Sequence, residues 1–268
     1  MATKIRLKKK YKANILVTGS DGFIGSHLQD LLAMYNYHVY RYDIKVNSTF
    51  DINDYASFDA AVKATKPKFI VHLAAVSNRK DVAKNPEQAL KTNIIGTFNV
   101  LKAAHKYKVK VILASSAATV EPRTSLYAAT KSTMEMLATM FDSNVTIARF
   151  YNIYGPRSKS VVNKFIYNMK RGRKLILNGN TKRDYMHVLD LCMSLLMIIE
   201  AKQQPRFVTI GTGRSVSLNK LVSIIEKEFG RKAEIVRKKP IFEIQESYCD
   251  DPYGVYKITL EQGIGGLI

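Results

Sequence analysis

The stretch Ile15-Leu-Val-Thr-Gly19-Ser-Asp-Gly22-Phe-Ile-Gly25 decides the fold of this chain. A short apolar run precedes three glycines at intervals of three residues, and a helical pattern of apolar residues follows them. This spacing allows a tight turn between a strand and a helix, and it lets a diphosphate approach the N–H groups at the helix N-terminus. The stretch therefore predicts a βα unit that binds a dinucleotide.

Strand and helix patterns alternate through the first half of the chain. The predicted strands are Ala13–Thr18, Tyr37–Asp43, Phe69–Leu73, Val109–Ser115 and Val145–Phe150, and the predicted helices are Phe23–Tyr35, Tyr55–Ala64, Pro86–Tyr107 and Ser125–Phe141. Repeated βα units with apolar, β-branched strands are typical of a parallel sheet covered by helices on both faces. We therefore predict an α/β fold with a Rossmann-like, doubly wound parallel sheet.

Asp43 stands at the end of the second predicted strand, where an acidic residue accepts hydrogen bonds from the adenosine ribose of a dinucleotide. Its charge would repel a 2′-phosphate, which favours NAD over NADP. Arg41 keeps the NADP alternative open, because a guanidinium can accommodate that phosphate.

After Asn152 the pattern becomes shorter and is punctuated by glycine turns. Helices are predicted near Leu189–Ala201 and Leu218–Phe229, with a strand at Phe207–Ile210 between them. We expect residues 1–151 and 188–210 to form the NAD-binding Rossmann domain, and residues 152–187 and 211–268 a smaller C-terminal substrate-binding lobe.

Composition limits the remaining function classes. The 268 residues include 42 Lys and Arg against 22 Asp and Glu, a net charge of +20, but the basic residues are scattered and no nucleic-acid-binding motif organises them. We therefore expect a positive field that attracts phosphate-bearing ligands rather than nucleic-acid binding. Cys192 and Cys249 form no zinc or disulfide pattern, and no residues have metal-ligand spacing. Because no apolar run approaches ~18 residues, we predict no membrane span and a cytoplasmic location.

Tyr127 and Lys131 lie four residues apart on one predicted helix, just after the strand that ends near Ser116. A phenol with a pKa of about 10 is a poor base at neutral pH. An ammonium about 6 Å away would contribute roughly 3 kcal/mol, or about two pKa units, at an effective dielectric near 20. Tyr127 could then remove the proton of a carbinol and return it. The second pair at this spacing, Tyr253 and Lys257, lies in no helical pattern, and we attribute it to chance.

Several longer motifs carry a family resemblance. They are His72-Leu-Ala-Ala75, Arg149-Phe-Tyr-Asn-Ile-Tyr-Gly-Pro-Arg157 and Arg183-Asp-Tyr-Met-His-Val-Leu-Asp190. With the glycine turn and the Tyr/Lys pair, they resemble the extended short-chain dehydrogenases/reductases of the NAD-dependent sugar-nucleotide epimerase/dehydratase family. The last motif is especially similar to that of the UDP-galactose 4-epimerases.

The resemblance and the motifs together assign roles to individual residues. The expected catalytic residues are Tyr127, Lys131 and Ser116. The expected NAD-binding residues are Gly19, Asp21, Gly22, Phe23, Ile24, Gly25, Asp43, Asp51, Ile52, Leu73, Ala74, Ala75, Asn93, Ser115, Tyr127, Lys131 and Tyr151. The expected substrate-binding residues are Ser116, Asn152, Arg157 and Arg183. For Arg157 and Asp190 the sequence leaves a structural alternative open, a loop ion pair and a helix cap respectively.

Departures from the family pattern limit the reactions that this chain is expected to catalyse. Ala117-Ala118 stands where the dehydratases carry an Asp-Glu pair, so dehydration lacks its acid and base. The segment between Ser116 and Tyr127 is short, and Lys238-Lys239-Pro240 stands near the place of a late phosphate-binding arginine. We expect a UDP-hexose 4-epimerase type of sugar-nucleotide epimerase. An NAD(P)H-dependent keto-sugar-nucleotide reductase and a catalytically idle, RNA-binding family member are the alternatives. The resemblance also implies a homodimer formed through the helices at Pro86–Tyr107 and Ser125–Phe141.

Overall fold

The computed structural model describes residues 11–141, 144–239 and 246–268. The first ten residues of the predicted NAD-binding domain, and residues 240–245 of the predicted lobe, lie outside the described residues. The strands are β1 Asn14–Thr18, β2 His38–Tyr42, β3 Phe69–His72, β4 Lys110–Ser116, β5 Val145–Phe150, β6 Asn152–Tyr154, β7 Leu175–Asn178, β8 Lys182–Arg183, β9 Tyr185–His187, β10 Phe207–Ile210, β11 Val216–Ser217, β12 Ile235–Lys238 and β13 Glu246–Ser247. The helices are α1 Phe23–Met34, α2 Tyr55–Thr65, α3 Arg79–Lys84, α4 Pro86–Leu90, α5 Thr97–Tyr107, α6 Leu126–Met140, α7 Val161–Lys170, α8 Val188–Glu200, α9 Leu218–Phe229 and α10 Leu260–Gly265.

Six parallel strands form the main sheet in the order β10-β5-β4-β3-β1-β2. Alternate residues of β1 point to opposite faces: Ile15 and Val17 pack with α1 and α8, and Leu16 packs with α2, α5 and α6. The prediction of a doubly wound α/β fold is confirmed. Strand β2 pairs with β1 on one side of it, and β3 pairs with β1 on the other side. This switch point opens a crevice at the carboxyl ends of β1 and β3.

A third apolar core lies outside the main sheet. It joins residues from 154–185 with residues from 218–264, among them Phe165, Leu177, Leu221 and Ile264. Small sheets formed by β7 with β12, and by β8 with β11 and β13, accompany this core. The division of the chain into two domains stays a prediction, which this separate core supports.

The predicted helix Pro86–Tyr107 is wrong as a single regular helix. Pro86 begins α4 as expected, but Lys91–Gly96 forms a π-helical turn before α5. The helices α3, α7 and α10 were not predicted. Helices α3 and α10 are only six residues long, whereas α7 has a clear apolar period that was overlooked, with Val162, Phe165, Ile166 and Met169 buried on one face. Within the described residues, no helix combines the length and apolar character that crossing a membrane requires.

Candidate active site

A cavity of about 800 Å³ runs along the carboxyl ends of β1, β2, β3 and β4, and we call it the cofactor cavity. The predicted NAD-binding residues that line it are Gly19, Gly22, Phe23, Ile24, Gly25, Asp43, Asp51, Ile52, Leu73, Ala74, Ala75, Ser115, Tyr127, Lys131 and Tyr151. The fold therefore gathers into one place residues that are more than a hundred positions apart in the chain.

The glycine turn lets the backbone approach as closely as a dinucleotide site requires. Gly19 has a φ of +67°, and a Cβ there would lie 2.7 Å from the backbone nitrogen of Ala74. A Cβ on Gly25 would overlap the carbonyl oxygen of Gly19 and lie 2.8 Å from the Cα of Ser20. The turn thus leaves room for a diphosphate at the start of α1 only because these side chains are absent.

Asp43 is fixed in the wall of the cofactor cavity. Its Oδ2 accepts a hydrogen bond of 3.0 Å from the backbone N–H of Asp21, and its Oδ1 accepts one of 2.9 Å from the N–H of Lys45. Asp21 itself does not line the cavity, and its carboxylate forms an ion pair with Arg41. The part of Asp21 in NAD binding stays a prediction. In the structure its backbone N–H orients Asp43, and its carboxylate holds the guanidinium of Arg41.

The far end of the cofactor cavity is closed by a short loop and an aromatic stack. Asp51 accepts hydrogen bonds from the backbone N–H and the side-chain amide of Asn53, at 2.9 and 2.8 Å. Asn99 of α5 donates a 2.9 Å hydrogen bond to the carbonyl of Ile52. The rings of Tyr42 and Phe50 stack with centroids 5.0 Å apart, and both line the cavity. The sequence analysis missed these two aromatic residues.

Asn93 does not line the cofactor cavity, and its part in NAD binding stays a prediction. It is fully buried in the π-helical turn. Its Oδ1 accepts a 2.8 Å hydrogen bond from the N–H of Val76, and its amide donates to the carbonyl of Val76 and to Thr130, both at 3.1 Å. Asn93 therefore positions the segment after β3, which itself lines the cavity.

Tyr127, Lys131 and Ser116 meet at the inner end of the cofactor cavity. Ser125 caps α6 by accepting a hydrogen bond from Ala128, so Tyr127 lies in the first turn of that helix and Lys131 lies one turn later. Ser116 ends β4 and forms a hydrogen bond with the Tyr127 side chain. The predicted catalytic residues are therefore brought together.

Burial is the largest influence on the electrostatics at this end. Burial raises the pKa of Tyr127, while the hydrogen bond to Ser116 and the positive charge of Arg79 act to lower it. Burial lowers the pKa of Lys131 to about 8, and Glu135 acts in the opposite direction. The expected lowering of the pKa of Tyr127 by Lys131 and the nicotinamide stays a prediction. Without bound cofactor, burial is the largest influence on this pKa and Arg79 is the opposing cation.

A second cavity of about 350 Å³ shares Tyr127, Ser116 and Tyr151 with the first, and we call it the arginine cavity. The residues that line it are Ser77, Arg79, Ser116, Ala117, Ala118, Tyr127, Phe150, Tyr151, Asn152, Arg183 and Ser247. Of the predicted substrate residues it contains Ser116, Asn152 and Arg183. The lining by Arg79 and Ser247 was missed, because neither residue belongs to a recognisable motif.

Two guanidinium groups, those of Arg79 and Arg183, bring positive charge to the arginine cavity. Arg79 begins the short helix α3, and Arg183 lies in β8. Burial lowers the pKa of Arg183, and the positive charge of Arg79 lowers it further. Such a pair is suited to bind an anion with several oxygens, because each guanidinium offers a planar fork of N–H donors.

Arg157 lines neither cavity, and its part in substrate binding stays a prediction. Its backbone has a φ of +67°, and its guanidinium lies 2.8 Å from Nδ1 of His27 and 3.5 Å from the carboxylate of Asp30 on α1. The loop ion pair, the structural alternative, is what the structure shows. Asp190 accepts hydrogen bonds from the N–H groups of residues 257 and 258 at 3.2 and 2.9 Å, so it ties the tail to α8 rather than capping a helix.

Comparisons with known proteins agree with this arrangement. The model of the NAD dependent epimerase/dehydratase family matches residues 15–211. A Methanocaldococcus jannaschii protein provisionally named UDP-glucose 4-epimerase is 31% identical, over 84% of this chain and 86% of that protein. The UDP-glucuronic acid decarboxylase 6 of Arabidopsis thaliana is 28% identical, over 94% of this chain and 83% of that protein. The solved structure of the UDP-glucose 4-epimerase of Thermotoga maritima with UDP-glucose has a TM-score of 0.83 and 28% identity, covering 94% of this chain and 96% of that one.

The family resemblance inferred from the motifs is thereby confirmed, and so is the choice of NAD as cofactor. The relatives are named as epimerases and as decarboxylases of UDP-sugars, so the comparisons leave the exact reaction of this chain open. The matched region contains the glycine turn, the Tyr127/Lys131 pair and Arg183. This chain belongs to the NAD-dependent epimerase/dehydratase family.

Proposed function

We propose that this protein is a sugar-nucleotide epimerase of the UDP-hexose 4-epimerase type. The observation that carries the proposal is the junction of the two cavities at Tyr127, with Ser116 beside it and two alanines, Ala117 and Ala118, next in the chain. A base and a hydrogen-bond donor suffice for reversible oxidation of a carbinol. Elimination of water needs a further acid and base, and the alanines supply neither.

The glycine turn would hold the diphosphate of NAD, and Asp43 would accept hydrogen bonds from its adenosine ribose. NAD would supply a reversible hydride acceptor for the ring carbon, so the sugar would undergo no net oxidation. Tyr127 removes the proton from the sugar hydroxyl and later returns it, while Ser116 hydrogen-bonds the reacting oxygen. Arg183, with Arg79 beside it, holds the diphosphate of the sugar nucleotide.

A keto-sugar-nucleotide reductase is the alternative, and the short segment after Ser116 is compatible with it. This segment folds as two 3-10 turns, Ala117–Val120 and Pro122–Thr124, and Ala117 lines both the arginine cavity and a neighbouring cavity of about 640 Å³. A reductase needs no space for the keto-sugar to turn over, and it consumes the reduced cofactor stoichiometrically.

One experiment separates these functions. The protein is incubated with NAD and, in turn, with UDP-glucose, UDP-galactose and UDP-glucuronate, and in a parallel reaction with NADH and a UDP-4-keto-hexose. The products are identified by NMR while absorbance at the nicotinamide band is followed. We expect the C4 epimer to form with no net change in NADH. Stoichiometric loss of NADH with a keto-sugar substrate would favour the reductase, and release of CO₂ from UDP-glucuronate would favour a decarboxylase.

Replacing the phenol tests the chemistry directly. We expect Tyr127→Phe to lower turnover by about 10²–10⁴-fold and to leave NAD affinity unchanged, because only proton transfer is lost. Tyr253→Phe is the matched control. Tyr253 also precedes a lysine by four residues, but it packs against the apolar core formed with α1 and α8. Equal activity of the two variants would contradict the assignment.

We also propose a homodimer through α5 and α6. Met136 and Met140 of α6 are 66% and 82% exposed, and Ile95 and Phe98 beside them are exposed as well. Phe98 and Phe141 bring the two helices together with ring centroids 6.0 Å apart. Light scattering should give a dimer mass, and the double variant Phe98→Glu, Met136→Glu should give a monomer. A monomeric wild type would contradict the proposal.

A further inference from the structure

Asp184 is a fully buried carboxylate that takes no part in the proposed reaction. It lies between β8 and β9, directly after Arg183. Its Oδ1 accepts hydrogen bonds from the backbone N–H and the hydroxyl of Thr212, at 2.9 and 2.6 Å. Its Oδ2 accepts hydrogen bonds from the N–H groups of Thr212, Gly213 and Cys249, at 2.9, 2.9 and 3.2 Å. The carboxylate therefore joins the turn after β10 to the segment after β13.

The two joined segments pack tightly around this carboxylate. A Cβ on Gly211 would lie 2.6 Å from Oδ2 of Asp184 and 2.6 Å from the Cβ of Cys249. The hydroxyl of Thr212, which donates to Asp184, also accepts a 3.2 Å hydrogen bond from the N–H of Arg214. An ionised carboxylate can only accept hydrogen bonds, and donors from both segments converge on this one. A side chain that also donates would therefore place two donors against each other.

The main chain of Asp184 holds residues that line the arginine cavity. Its carbonyl accepts hydrogen bonds from the backbone N–H and the side-chain amide of Asn152, at 3.0 and 3.2 Å. Its N–H donates a 3.0 Å hydrogen bond to the carbonyl of Ser247. Arg183, its neighbour in sequence, lines the same cavity. The cavity residues from β6, β8 and β13 therefore meet at residue 184.

The strands that carry Arg183 and Ser247 are too short to be fixed by their own pairing. The sheet β11-β8-β13 consists of strands of two residues each, and such small sheets are marginally stable in water. The carboxylate of Asp184 supplies further contacts, since it binds Cys249 two residues beyond Ser247 and fixes the turn that leads toward β11. Asp184 is not among the residues that line the cavity, so it acts on a ligand there through its neighbours.

We propose that Asp184 is a positioning residue for the sugar-nucleotide substrate, whose carboxylate fixes Asn152, Arg183 and Ser247 in the arrangement that binds this substrate. The role rests on the proposed function, because it takes the arginine cavity as the substrate site. A guanidinium on a fixed strand loses less conformational freedom when it binds an anion, which favours affinity. The role therefore predicts an effect on substrate binding rather than on the chemical step at Tyr127.

Asp190 provides a matched control, because it is a second buried carboxylate that holds the C-terminal part of the chain. It is 3% exposed, and its Oδ2 accepts hydrogen bonds from the N–H groups of Lys257 and Ile258. Neither Asp190 nor the two residues that it binds line the arginine cavity. Asp184→Asn and Asp190→Asn thus make the same chemical change at two buried carboxylates, of which only one adjoins the cavity.

The affinity for UDP is the first readout, measured by calorimetry on the full protein with NAD present. In Asp184→Asn, either orientation of the amide places an NH2 group against the N–H of Thr212, because that N–H contacts both oxygens. We expect the Kd of UDP to rise about 10-fold. NADH affinity should stay unchanged, since the residues bound by this carboxylate do not line the cofactor cavity. Asp190→Asn should lower the melting temperature and leave both affinities unchanged.

Steady-state kinetics supply the second readout. With a UDP-sugar, KM should rise in Asp184→Asn by the same factor as the Kd of UDP, while kcat changes by less than about twofold. If Asp184 only stabilised the fold, both Asn variants would lower the melting temperature and neither would change UDP affinity selectively.

Thr212→Val keeps the test available if Asp184→Asn fails to fold. It removes the hydroxyl that donates to Oδ1 and preserves the shape of the side chain and the backbone N–H contacts. Thr212 is not among the residues that line the arginine cavity. We expect the Kd of UDP to rise about threefold in this variant. An unchanged Kd in folded Thr212→Val would contradict the role of Asp184.

The outcomes separate this role from the proposed function. Weaker UDP binding in Asp184→Asn but not in Asp190→Asn, without epimerisation by the wild type, would support the role of Asp184 and overturn the proposed function. Epimerisation by the wild type, with UDP affinity unchanged in Asp184→Asn or lowered equally in both variants, would overturn the role of Asp184 alone. A parallel loss of NADH affinity in Asp184→Asn would also overturn it, because general damage to the fold would then explain the result.

Discussion

The two cavities that meet at Tyr127 are built in different ways. The cofactor cavity lies at the carboxyl ends of parallel strands, and the glycine turn in its wall brings backbone close to the space for the cofactor. The arginine cavity is formed by side chains from α3, β4, α6, β6, β8 and β13, which come from distant parts of the chain. Backbone geometry suits a cofactor that is common to a whole family, whereas scattered side chains can change one at a time and alter the substrate.

The largest expected effect belongs to the backbone cavity. Gly19→Ala places a Cβ 2.7 Å from the backbone nitrogen of Ala74 and forces the turn to shift, so we expect NAD affinity to fall by at least about 100-fold. Gly172→Ala is the matched control, because Gly172 has a similar φ of +62° but nothing within 4 Å of the added Cβ. Titration of NADH fluorescence measures both. A similar loss in the control would show that strain of the positive φ, rather than close approach, decides binding.

A smaller and separable effect is expected in the arginine cavity. Arg183→Ala should raise KM for the UDP-sugar about 10- to 100-fold and leave NADH affinity unchanged, because one charge-assisted contact is lost. Arg183→Lys should recover part of this loss, since it restores the charge without the fork. Arg157→Ala, outside both cavities, should change KM and kcat by less than about twofold. Loss of NADH binding in Arg183→Ala would show that the two cavities are not independent.

The third prediction concerns stability at the boundary between the cavities. The pKa of Lys131 falls from 10.5 to about 8 on folding, which corresponds to a cost of about 3 kcal/mol. Lys131→Met removes that cost but also the hydrogen bond to Ala114, worth about 1 kcal/mol. We expect the variant to be inactive and more stable by about 2 kcal/mol at neutral pH.

The pH dependence checks the sign of this effect. The cost of burying the ammonium is fully present below pH 8, and it disappears as the pH rises toward 10.5, where the lysine is neutral in the folded and the unfolded states alike. The advantage of Lys131→Met in urea unfolding should therefore shrink over that window. An advantage that is constant from pH 7 to 10 would contradict the buried charge as its cause.

The contrast between the cavities also explains what the sequence could predict. The glycine turn, Asp43 and the pair Tyr127/Lys131 were found because each is fixed by spacing within one βα unit. Arg79 was missed, because its entry into the cavity depends on a short helix that has no apolar period. Arg157 was assigned by resemblance, but the structure turns its side chain toward α1, and no local pattern distinguishes these two directions.

Helix geometry shows the same limit. The sequence predicts the start of α4 at Pro86 and the end of α5 near Tyr107, because proline and apolar spacing mark them. It does not predict the π-helical turn between them, since the turn is stabilised by contacts of Asn93 with Val76, seventeen residues earlier. Such a contact between distant residues produces no periodic pattern in the sequence.

The π-helical turn Lys91–Gly96 determines how α5 is rotated about its own axis. If Lys91–Gly96 were wound as a regular α-helix with no residue removed, α5 would be rotated by about 100° about its axis. Asn99 would then swing away from the carbonyls of Ile52 and Asn53, to which it now donates hydrogen bonds. The loop at one end of the cofactor cavity thus depends on the one extra residue that the π-helical turn takes up.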